Sequence, residues 1–72
     1  MDDKGRELIF EVREEADGGL WARALGEGIF TQGDGLESLK ANVLEAVRAH
    51  FEPAERPVMV RLHFVKDVLL AV

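Results

Sequence analysis

Two histidines, one serine, one threonine and fourteen carboxylates are the side chains with which this 72-residue chain could do chemistry. Their spacing decides how far that chemistry can go. A metal centre needs several His, Cys or carboxylate ligands converging on one point. His50 and His63 stand thirteen residues apart, on a predicted helix end and a predicted strand, and cysteine is absent. His50 reads as a packing histidine on an apolar stripe, or as a favourable charge near a helix C-terminus, and no metal is expected. Glu7 and Glu11 share a strand face, and Glu14, Glu15 and Asp17 cluster at a predicted hairpin. A two-metal nuclease would need such carboxylates on neighbouring strands inside a cleft. The second predicted strand supplies none, and the fourth supplies none before Asp67.

Other catalytic arrangements are no better supported. Ser38 falls on the first turn of a predicted helix, as a surface residue, with nothing in the sequence to make it a nucleophile. Gly26-Glu27-Gly28 and Gly33-Asp34-Gly35 are not followed by the Lys that closes a phosphate loop, so they read as turns. No catalytic residue and no cofactor is expected; the chain is read as a non-enzyme that works by binding. Trp21 is the residue best suited to recognition, because Trp is enriched where interfaces concentrate their energy. Its other reading is a sheet-face aromatic, and a contact between two copies would satisfy both.

Composition bounds the kind of molecule. A chain of 72 residues, 47% hydrophobic and 32% charged, is enough for one folded domain with a modest core. In so small a core, burial barely offsets the entropy of ordering, and without Cys no disulfide can help. Self-association, as a dimer or higher homo-oligomer, is therefore expected. The formal charge of −5 argues against direct nucleic-acid binding, which needs a Lys/Arg footprint, and favours basic partners. The N-terminal residues form no leader pattern, and no stretch approaches the ~18 apolar residues of a membrane span. A cytoplasmic protein without membrane contact is the expectation.

The elements that must position these residues follow from periodicity. Arg6 to Arg13 alternates, with Leu8, Phe10 and Val12 on one face and Glu7, Ile9, Glu11 and Arg13 on the other. Asp17-Gly18-Gly19 reverses the chain, and Leu20 to Leu25 alternates again. A brief third strand is predicted over Ile29 to Gln32. Asp34 with Glu37 three residues later predicts a helix cap, Gly35 being the alternative. The helix runs to about Phe51, stopped by Pro53 and Pro57, with Leu36, Leu39, Val43, Ala46, Val47 and His50 on its apolar stripe. Val58 to Val65 forms a fourth strand.

The predicted architecture is a single α+β domain, residues 1–72, of order β-β-β-α-β. One helix packs on one face of a three- to four-stranded mixed sheet. The right-handedness of strand–helix–strand crossovers puts the fourth strand parallel to a partner, plausibly the first. One helix covers one face, so Ile9, Trp21, Leu25, Met59 and Val65 are expected beside Glu11, Arg23, Arg61 and His63 on the other. That face is too apolar for solvent alone. Val68, Leu70 and Val72 belong to an apolar terminal run, read as an extra edge strand or as a tail packed on a second copy. Together with Ile9, Met59 and Val65 they make the expected oligomer interface.

The run Asp17-Gly18-Gly19-Leu20-Trp21-Ala22, followed by Phe30-Thr31-Gln32-Gly33-Asp34-Gly35-Leu36-Glu37-Ser38-Leu39, resembles the N-terminal domain of HicB-like antitoxins. Those domains read as a D-G-G-aromatic hairpin and then F-x-x-G-D-x-L-E-E-A into the helix. The match spans residues 7 to 51. The family's P-x-x-P-G loop is replaced by Leu25-Gly26-Glu27-Gly28-Ile29, one residue shorter, and Gly35 stands where Thr or Ser is usual. The chain resembles a divergent, stand-alone branch, since full antitoxins continue into a DNA-binding domain. The resemblance implies a partial ribonuclease-H-like fold without that fold's catalytic carboxylates. It also implies a partner, a small basic RNA-cleaving toxin of the HicA type. Glu14, Glu15, Asp17 and Trp21 are then the expected contact residues, the acidic hairpin steering a basic surface. The competing expectation is a solitary oligomeric module with no toxin.

Overall fold

Alternation of apolar and charged side chains gives the first strand, β1 (Glu7–Glu14), two unlike faces, and the other elements assemble around that difference. A computed structural model describes residues 6–72. After β1 come β2 (Leu20–Ala24), β3 (Phe30–Gly33), helix α1 (Leu36–His50), a single 3-10 turn over Pro53–Glu55, and β4 (Met59–Phe64). The sheet order is β3-β2-β1-β4. β1 runs antiparallel to β2 and β2 antiparallel to β3, while β4 lies parallel to β1 with Phe10 opposite Leu62. The predicted α+β order and the parallel placement of the last strand are both observed.

One sheet face meets the helix. Phe10, Val12, Ala22, Leu39 and Val43 are all but inaccessible, and Leu8, Ala24, Ile29 and Val47 complete the core. Leu39, Val43 and Val47 recur every four residues, so they line one side of α1. Ala22 and Ala24 leave the helix room to lie close over β2 and β3. That seat is fixed at two points. The Asn42 amide donates to the Gln32 carbonyl at 2.7 Å, and the backbone of Gly33 sits so close to the start of the helix that a Cβ there would stand 2.6 Å from Leu39 N. The consequence falls on the far strand: Val60 and Leu62 are half-buried and Phe64 is 51% exposed, although all three face the helix side.

The helix entry takes the second of the two expected caps. The cap is Gly35, not Asp34, and the Ser38 hydroxyl completes it, accepting from Gly35 N and donating to Gly35 O, both at 3.1 Å. Ser38 is thus more than a surface residue. Asp34 is exposed. Glu37 faces along the helix to Lys40, at 3.3 Å, and does not reach back to the cap. The cap is local, since a hydroxyl three residues into the helix reaches back to the extended Gly35.

At the other end Phe51 leaves the helix in extended conformation, its N–H donating to Val47 O at 3.1 Å. The Arg56 guanidinium donates to the Arg48 carbonyl at 3.0 Å, satisfying a helix-end acceptor. His50 is exposed and does not join the core; its Nε2 lies 3.3 Å from Glu27 Oε1. Past β4, Val65 N donates to Val12 O at 2.9 Å. Residues 65–72 form no strand within one chain, so the expected extra strand is not present there. Leu69 and Leu70 are 95% and 83% exposed, and the molecule measures 50 × 25 × 18 Å. Among the described residues no helix is long and apolar enough to cross a membrane.

Candidate functional site

The face of the sheet opposite the helix is assembled by register. Reading across the strands, one row is Gln32, Trp21 and Arg13, the next is Phe30, Arg23, Glu11 and His63, and a third is Ile9 with Arg61. Leu25 joins that third row, its N–H donating to Ile9 O at 2.9 Å. Glu7 and Met59 close the pattern. The residues predicted for this face are all on it. Val65 and Ile9 are half-buried, while Met59 and Leu25 are 61% and 48% exposed.

The middle of the face is an ion-pair ladder. Glu11, the most covered of its carboxylates, accepts from Arg23 at 2.8 Å and lies 3.5 Å from Arg13. Glu7 accepts from Arg61 at 2.7 Å. The hydrogen bond from Arg23, with the charges of Arg13 and Arg23 beside it, holds the Glu11 carboxyl below the ordinary value of 4.5 despite a smaller opposing effect of burial. The Arg61 hydrogen bond does the same for Glu7. Each carboxylate of the pair weighed for a two-metal site is therefore engaged by an arginine. These pairs orient side chains on an exposed surface more than they stabilise it.

One end of the face differs from the rest. Trp21 stacks on Phe30 with ring centroids 5.6 Å apart and planes 27° from parallel. Phe30 is 60% exposed, and the sequence expectation for recognition names Trp21 without it. Its signal lay in the register: a turn from Leu25 to Ile29, closed by Ala24 N donating to Ile29 O, puts Phe30 opposite Arg23 and diagonal to Trp21.

Arg13 pairs with Trp21 and Glu14 with Leu20, so the acidic hairpin begins one residue beyond the aromatic pair. Glu14, Glu15 and Asp17 are all exposed. Among the described residues neither Glu14 nor Glu15 has an ion-pair partner. Asp17 has a local task as well: its Oδ1 accepts from Gly19 N at 3.0 Å, an Asx turn that lets Gly18 take its φ of 94°. A crevice lined by Arg13, Glu14, Leu20, Trp21, Phe64 and Asp67 opens at this same end of the sheet. The four predicted contact residues, Glu14, Glu15, Asp17 and Trp21, thus lie at the same end of the sheet, with Glu14 opposite Leu20 on the helix side and Trp21 opposite Arg13 on the open face. The six predicted for self-association are divided, with Ile9, Met59 and Val65 on the open face and Val68, Leu70 and Val72 on the projecting tail.

No protein-family model matches the chain, and no solved structure matches it significantly. Two relatives do. A UPF0150 protein of Archaeoglobus fulgidus is 59% identical over 50 residues, covering 69% of this chain and 74% of the relative. A UPF0150 protein of Thermotoga maritima is 40% identical over 67 residues, covering 93% of this chain and 94% of its own. With that identity over nearly the full length of both sequences, the chain belongs to the UPF0150 family.

Proposed function

We propose that this protein is a HicB-like, antitoxin-type binding module that acts in the cytoplasm by covering a small basic RNA-cleaving protein. One observation carries the reading: a stacked Trp–Phe pair on the open face, a crevice and two carboxylates without an ion-pair partner among the described residues lie at the same end of the sheet. The aromatic pair supplies flat apolar area that is largely pre-ordered, which lowers the entropic cost of docking. Glu14 and Glu15, on a chain of net charge −5, steer a basic surface towards it. The hairpin and helix-entry motifs that resemble HicB-like domains frame this same end. A second reading, a solitary oligomeric module, is favoured by the projecting apolar tail.

The test uses the tagged chain as bait in a lysate of its host, followed by kinetics on the purified complex. The expected catch is a small basic protein in fixed ratio that cleaves RNA alone and not in the complex. Glu14→Lys with Glu15→Lys should slow association about tenfold or more at low salt and little at high salt. Trp21→Ala should act on dissociation. Asp17→Asn keeps the turn acceptor and separates the charge from the fold. An RNA-cleaving activity untouched by stoichiometric bait would refute the reading, and an association rate insensitive to the hairpin charges would remove the hairpin from the interface.

A further inference from the structure

The sheet has two edges, and they are treated differently. Among the described residues β3 and β4 each have a strand on one side only. Ala24 N donates to Ile29 O, which phases β3 so that Gln32 turns its backbone groups outward, and the Asn42 amide takes the Gln32 carbonyl at 2.7 Å. β3 is also only four residues long. Natural sheets guard an edge by such shortness and cover, or by proline or an outward charge. β4 has none of these. Its six residues include no proline, its one charged side chain, Arg61, is bonded to Glu7 across the sheet, and α1 lies over β2 and β3.

The phase of β4 says which of its backbone groups are free. Leu25 N donates to Ile9 O, so the odd-numbered residues of β1 turn to β2 and the even-numbered ones, Leu8, Phe10 and Val12, turn to β4. Val12 stands beside Phe64, and in a parallel ladder it bonds to the residues before and after that partner, as Val65 N donating to Val12 O at 2.9 Å shows. Arg61 and His63 therefore spend their backbone groups on β1. Val60, Leu62 and Phe64 turn theirs outward, whereas Val58, just before the strand, gives its N–H to Arg6 O at 3.2 Å. The side chains of the same three residues lie on the helix side and are incompletely covered, Val60 and Leu62 half-buried and Phe64 51% exposed.

We propose that a second copy of this chain pairs antiparallel with β4 in one register, centred on Leu62, so that two sheets become one. A two-fold axis normal to the sheet makes such pairing antiparallel and keeps both helices on one face. The edge is complementary to itself in this register. Leu62 meets Leu62 and Val60 meets Phe64 of the other copy, and each pair exchanges both of its backbone hydrogen bonds, so every outward group of the strand is used. The same pairs bring apolar side chains together on the helix side. On the open face Arg61 falls opposite His63, and Met59 opposite Val65. The neighbouring registers, centred on Arg61 or on His63, each leave one of the three outward residues without a partner in the other strand, and the first also sets Arg61 directly opposite Arg61, which like charge disfavours. Strands this short make a small interface, so the pairing depends on concentration. Trp21 lies on β2, two strands in from this edge, so the pairing does not depend on the antitoxin-type reading.

The test is the native mass of the full chain by light scattering, from dilute solution up to the concentration of an NMR sample. At the upper end the expected mass is twice the 8.0 kDa of one chain, falling towards one chain on dilution. Phe64→Lys should halve the mass at the upper end with an unchanged circular dichroism spectrum, since that side chain is half exposed in the single chain and would set a charge against Val60 of the other copy. The register is read from a mixture of isotope-labelled and unlabelled chains. Nuclear Overhauser contacts between copies should join the Hα of Arg61 to that of His63, because directly opposed residues that do not exchange hydrogen bonds bring their Cα atoms to about 4.5 Å. A wild-type chain that stays monomeric throughout would overturn the proposal. So would a folded Phe64→Lys variant that keeps the dimer mass, or contacts between copies confined to the Trp21 face or to residues 68–72.

Discussion

Glu11 has the most determined surroundings of any charged side chain here. It stands at the centre of the open face, 2.8 Å from one guanidinium and 3.5 Å from another. Its pKa is lowered in the fold, chiefly by the Arg23 hydrogen bond, and returns to the ordinary 4.5 when the chain unfolds. The unfolded chain therefore takes the proton first. The contribution to stability is complete above that ordinary value and is lost as pH falls through the lower folded value. Urea midpoints followed from roughly pH 6 to pH 3 should fall less steeply for Glu11→Gln than for the wild type, the two curves converging at the acid end. Superimposable slopes would mean that the ladder is broken by solvent, as many exposed pairs are.

At the scale of elements, the decisive contact is between β3 and the first turn of α1. Gly33 has no side chain because Leu39 N, Leu39 Cα and Ser38 Oγ occupy the space within 2.9 Å of where a Cβ would be. Two of those atoms belong to backbone that is held by the helix, so they cannot swing aside. Gly33→Ala should cost about 1–3 kcal/mol, the range for forcing an extra carbon into a packed contact. Gly28→Ala is the internal control, since nothing lies within 4 Å of its Cβ and its φ is not positive. It should change the urea midpoint little, and equal losses at the two positions would contradict the proposed clash. The same contact holds α1 over β2 and β3 and so leaves the β4 side uncovered.

The whole molecule lives close to its stability limit. Seventy-two residues correspond to about 4–11 kcal/mol of net stability by the usual per-residue range. Self-association through the exposed apolar run Val68–Val72 would add to that by mass action, because association favours only the folded chain. The thermal midpoint of the wild type should then rise as concentration is raised tenfold, and that of Val68→Asp with Leu70→Asp should rise less. A wild-type midpoint independent of concentration would argue for a monomer that leaves its tail in water.

Much of this was legible in the sequence, and the reason is locality. Period-2 alternation in Arg6–Arg13, Leu20–Leu25 and Val58–Val65 assigns a face to every strand residue, and the Leu39, Val43 and Val47 spacing assigns one to the helix. Crossover handedness added the parallel pairing of β4 with β1. What the tertiary structure alone decided depends on partners far apart in the chain. Phe30 joins Trp21 because the turn before it sets the register of β3, and Glu11 and Glu7 become ladder members because Arg23 arrives opposite Glu11 and Arg61 diagonal to Glu7. The uncovered flank beside β4 was invisible for the same reason: periodicity says which face of a helix is buried, but only the fit against Ala22, Ala24 and Gly33 says over which strands it lies.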